Sequence, residues 1–142
     1  MIKEYLIKLI NLDRFTKKLI MMIADAVLVI FTIILAFSIR LGFVFIPGED
    51  LYFTILIAPF IAISIFYLFG LYKSVTRYIG ADALISVVKA VTLYSLIWGL
   101  LNYMTSIEGL KGEIFEEIPR SVILINWMLT LIIISFSRLF AR

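Results

Sequence analysis

The chain has 142 residues, 63% of them apolar and only 16% charged, with a mean hydropathy of +1.12, where soluble domains run near 45–50% and about 25%. That balance excludes a disordered or collagen-like chain and points to a protein that lives in a bilayer. With no Cys and no His, disulfide frameworks, thiolate nucleophiles, Cys/His zinc sites and imidazole bases are excluded too, and the net charge of +3 reads as cations facing anionic lipid, with no nucleic-acid partner.

The first 12 residues place Lys3, Glu4, Lys8 and Asn11 on one helical stripe and Ile2, Leu6, Leu9 and Ile10 on another, which predicts an amphipathic interfacial helix. Residues 19–39 form the first span, bracketed by Lys17, Lys18 and Arg40 and carrying one charge, Asp25; at about 1.5 Å per residue it covers the ~30 Å hydrocarbon core. The second span, 51–69, has Pro59 near its middle, where a kink is expected. The third, 83–104, contains Lys89, and an acidic outer loop over 105–118 follows. The fourth, 119–138, starts at Pro119, a residue suited to a helix start, and ends at Arg138. The fold class is therefore an all-α integral membrane protein, a four-transmembrane-helix bundle preceded by the interfacial helix, with residues 1–142 as one membrane domain.

Lys and Arg set the orientation. Lys3, Lys8, Arg14, Lys17, Lys18, Lys73, Arg77, Arg138 and Arg142 fall on one side, and only Arg40, Lys111 and Arg120 on the other. Both termini are expected to be cytoplasmic.

Catalytic chemistry is hard to find. Neither G-x-G-x-x-G nor G-x-x-x-x-G-K occurs; Gly109 and Gly112 flank a turn with no strand before it, and no tyrosine has a lysine four positions later. Glu49-Asp50 and Glu116-Glu117 are adjacent in loops and read as solvated surface. No catalytic, cofactor-binding or metal-binding residue is assigned.

Three polar features stand above this background. Asp25 must lie within the membrane. It sits seven residues past Lys18, and Lys89 sits seven past Asp82, so each is about 10 Å deep. An Asp25–Lys89 pair is one reading; the other has Lys89 snorkelling to headgroups while Asp25 finds a hydroxyl or water. Tyr72, Lys73, Arg77 and Tyr78 between the second and third spans read either as ordinary aromatic and cationic anchoring or as contacts to a phosphate headgroup or lipid carrier. Asn126, Thr130 and Ser137 share a face of the fourth helix and read as interhelical hydrogen-bonding groups.

In this order the signatures Ala24-Asp25, Leu35–Gly42, Phe69-Gly70-Leu71-Tyr72-Lys73 with Arg77-Tyr78, Asp82–Ile85 through Lys89–Val91, Pro119–Val122 and Ser137-Arg138-Leu139 resemble the N-terminal membrane region of the membrane-anchored nucleotide-sugar 4,6-dehydratases of bacterial polysaccharide and glycan biosynthesis. Lys73 stands where arginine is more usual, which weakens bidentate phosphate binding there. The resemblance implies an NAD-binding catalytic domain following residue 142, a lyase that oxidises C4 of a UDP-N-acetylhexosamine, eliminates water across C5 and C6, and returns the hydride to C6. The 142 residues would then anchor and position that domain at the inner membrane, with membrane lipid and the downstream domain as partners, self-association left open, and no cofactor of their own. Two alternatives are the anchor of a polyprenyl-phosphate sugar-phosphate transferase and a small four-helix proton-coupled transporter.

Overall fold

The structure, a computed structural model, describes residues 14–72, 81–107 and 119–140. They form four helices, α1 (Arg14–Leu41), α2 (Glu49–Leu68), α3 (Ala81–Ile107) and α4 (Arg120–Phe140), and no strand occurs among the described residues. The helices overrun most of the expected spans, because a charge or polar residue ends a hydrophobic run without ending the backbone hydrogen-bond ladder. Thus α1 begins before Lys17 and Lys18, and α3 runs on to Ile107. The interfacial helix expected over the first 12 residues lies outside the described residues, as does the outer loop beyond Ile107 up to residue 118.

Local chemistry sets the helix ends. α1 stops at Gly42, whose φ of 79° suits glycine and whose N–H still donates to Ser38 O at 2.9 Å. α2 continues through Pro59, which has no N–H to give to the carbonyl four residues earlier. Nearby, the Trp98 indole of α3 donates to the Thr54 carbonyl at 3.3 Å and ties the two helices together.

The exit from α2 is a Schellman motif. Gly70 has φ 69° and donates to Tyr67 O at 3.0 Å, and Leu71 N–H donates to Phe66 O at 3.0 Å, while the Leu71 and Phe66 side chains are both buried. At the start of α4, Pro119 immediately precedes the helix and its carbonyl accepts the Val122 N–H at 2.8 Å.

The helices pack in a closed ring, α1 on α2 and α4, and α3 on α2 and α4. Neighbours are antiparallel: Lys18 near the start of α1 lies 4.1 Å above the Tyr67 ring near the end of α2, and Arg120 at the start of α4 lies 5.7 Å from the Tyr103 ring late in α3. Hence α1 begins and α4 finishes at the same end of the bundle. Trp98, Tyr94, Phe66, Ile33, Ile134 and Val29 fill the centre.

The outside is apolar. On α4 the stripe Leu124, Met128, Ile132, Phe136 is exposed, while Val122, Asn126, Thr130, Ile134 and Arg138 are buried. Polar groups inside and large apolar groups outside invert the soluble pattern and suit a surround of lipid. Each helix carries a stretch long and apolar enough to cross a membrane: Phe15–Leu41, Leu51–Leu68, Leu84–Met104 and Arg120–Leu139.

Candidate functional site

The period-four stripes of α1 and α4 decide which polar side chains meet. On α1, Asp25 lies one turn before Val29 and two before Thr32 and Ile33, all of them buried. On α4, Asn126, Thr130, Ile134 and Arg138 follow one another at spacings of four. Since the two helices are antiparallel neighbours, Asp25 comes level with Arg138 and Thr32 with Thr130.

Arg138 Nη2 donates to Asp25 Oδ2 at 2.5 Å, and both side chains are almost fully buried. Its Nη1 faces Met21 Sδ at 3.9 Å, and its guanidinium carbon lies 5.3 Å from the Tyr72 ring centroid, a cation–π arrangement. The Schellman turn at Gly70 brings Tyr72 here, by reversing the chain after α2 and directing Leu71 and Tyr72 inward. The Tyr72 hydroxyl and Arg138 Nε are buried with no hydrogen-bond partner among the described residues. Burial, and next the Asp25 charge, push the Tyr72 phenol above the ordinary tyrosine value, so it stays protonated.

This geometry corrects two expectations. Asp25 pairs with Arg138 rather than with Lys89, which is exposed on α3. Equal depth is not enough, because α1 packs against α2 and α4 while α3 sits across the ring. Tyr72 does not reach headgroups either, being only 5% exposed; of the other expected headgroup contacts, Lys73, Arg77 and Tyr78 lie outside the described residues.

A second polar layer crosses the middle of the bundle. Thr32 Oγ1 donates to Val29 O at 2.8 Å and lies 3.0 Å from Thr130 Oγ1. Thr130 Oγ1 is 3.3 Å from Asn126 Oδ1, and Asn126 Nδ2 donates to the Tyr94 hydroxyl at 3.4 Å. Three helices are thereby linked, with a further bond from Trp127 Nε1 to Thr92 Oγ1 at 3.2 Å. Asn126 and Thr130 are interhelical groups as expected; Ser137 is half-buried and stands apart from this chain of bonds.

Chemically the Asp25–Arg138–Tyr72 cluster is a lock. The carboxylate is neutralised by a guanidinium, and the phenol is held protonated, which leaves a charge-compensated contact joining α1, α4 and the turn after α2. Sequence reasoning missed Arg138 as a partner because it was counted as a flank of the fourth span. Its signal was the spacing of four from Asn126 through Thr130 and Ile134, the same spacing that singled out the polar face.

No protein-family model, curated protein or solved structure matches the chain.

Proposed function

We propose that the chain is the membrane-anchoring and positioning domain of a nucleotide-sugar 4,6-dehydratase of bacterial polysaccharide biosynthesis. The observation that carries this reading is the convergence of Asp25, Tyr72 and Arg138. They come from three of the separately spaced signatures on which the resemblance rests, and their meeting in one cluster is what a shared structural role for those signatures would require.

In this reading the bundle crosses the inner membrane four times with both termini cytoplasmic, supported by the division of nine Lys and Arg against three. The catalytic domain would follow residue 142 on the cytoplasmic side and would bind NAD and the UDP-N-acetylhexosamine; no residue of these 142 is assigned to either. Lipid and that domain are the partners. A proton-coupled carrier needs a membrane carboxylate that can take up and release its proton, and an Asp25 bound to Arg138 counts against that alternative.

Assay of the complete gene product tests the proposal. The expected result is membrane-bound conversion of a UDP-N-acetylhexosamine to its 4-keto-6-deoxy product, with deletion of residues 1–142 releasing the activity in soluble form. Transfer of a sugar phosphate to a polyprenyl phosphate, or no dehydration by a folded product, overturns it.

A further inference from the structure

The turn between α1 and α2, at the end of the bundle away from Asp25, is held in place yet carries apolar side chains that are mostly exposed. Gly42 N–H is bonded to Ser38 O, Phe45 N–H donates to Ser38 Oγ at 3.0 Å, and the Phe45 ring stacks on Phe37 with centroids 4.6 Å apart. Phe45 thus anchors the turn. Around it Phe43, Val44 and Ile46 are 62%, 82% and 81% exposed, and no charge occurs from Leu41 to Gly48.

We propose that residues 43–46 form an apolar wedge seated in lipid, at the boundary between headgroups and acyl chains of the leaflet reached by the end of α1. Two observations select lipid as the occupant. The adjoining helices are themselves apolar outside, where Ile39 is 56% and Phe53 60% exposed, and Arg40, Glu49 and Asp50 flank the turn in sequence, charges that suit headgroup level. The turn is non-helical, and its backbone groups need water nearby, which keeps it at the boundary and out of the hydrocarbon centre. The wedge rests on the bundle's insertion in a membrane and is independent of the enzymatic reading.

The absence of cysteine makes a fluorescence test clean. The full chain bearing Val44→Cys, and separately Ile46→Cys, is labelled with an environment-sensitive fluorophore and placed in vesicles of phosphatidylcholine and phosphatidylglycerol. Leu96→Cys, 65% exposed midway along α3, reports membrane insertion by itself. Blue-shifted emission at 44 and 46, quenched several-fold more by a nitroxide on the lipid near its headgroup than by aqueous iodide, is the expected result. Quenching by iodide alone overturns the wedge, whereas quenching by neither would mean that a second copy of the chain covers the turn and overturns lipid as occupant. A probe at 96 that escapes quenching by a nitroxide placed deep in the acyl chain would overturn the wedge together with insertion; quenching at 96 by that deep nitroxide, with no lipid quenching at 44 and 46, overturns the wedge alone.

Discussion

Removing either charge from the Asp25–Arg138 pair strands the other in an apolar surround, so Asp25→Asn and Arg138→Met are each expected to destabilise the fold by about 3–5 kcal/mol. The double substitution should cost much less than the two effects summed, since side chains in contact are coupled. Denaturant titration in detergent reads all three, and simple additivity would dissolve the pair. Lys89→Met, on the exposed side of α3, should stay within about 0.5 kcal/mol of the parent. The Tyr72 hydroxyl makes no well-formed hydrogen bond among the described residues but interacts with the Asp25 carboxylate and Arg138, so Tyr72→Phe should shift stability by no more than about 1 kcal/mol. The phenol's raised pKa has a defined sign: its contribution is fully present below the ordinary tyrosine value of 10.0 and is lost as pH rises above that value. Alkaline unfolding compared between the parent and Tyr72→Phe checks this, and a later loss in the Phe variant is expected.

At the scale of an element, the turn after α2 and the contact of α3 with α4 each depend on one glycine. Gly70 has a positive φ, so Gly70→Ala should cost about 1–2 kcal/mol and loosen the placement of Tyr72. A Cβ on Gly99 would lie 3.0 Å from Ile123 Cγ2. Gly99→Leu should therefore push the two helices apart at a cost of about 1–3 kcal/mol, and Ile123→Ala should restore part of it; thermal melts in detergent show whether it does. The four helices themselves were legible, because long apolar runs with at most one internal charge, such as those bounded by Lys18 and Arg40 and by Arg120 and Arg138, have few other solutions, and Asn126 with Thr130 was legible from spacing. The partner of Asp25 was not, since depth counted along single helices does not say which helix is a neighbour. Short connections imply antiparallel neighbours, which would have favoured α4, and the buried stripe ending at Arg138 would have supplied the residue. The role of Phe69-Gly70-Leu71-Tyr72 was hidden differently: an aromatic beside a glycine at a helix end reads as interfacial until the turn's hydrogen bonds fold the tyrosine inward.

For the whole molecule, the antiparallel ring returns the end of α4 to where α1 begins, and the Asp25–Arg138–Tyr72 lock lies at that end. Under the proposed function, this lock fixes the end of the bundle from which the chain would continue towards a catalytic domain. In the proposed orientation this end faces the cytoplasm, as the division of Lys and Arg implies. Single-cysteine labelling with a membrane-impermeant maleimide tests it most directly, in intact and in lysed cells. Ser106→Cys is expected to react in intact cells and Ser74→Cys only after lysis; labelling of Ser74→Cys in intact cells, with Ser106→Cys protected, would mean that the bundle is inserted the other way round.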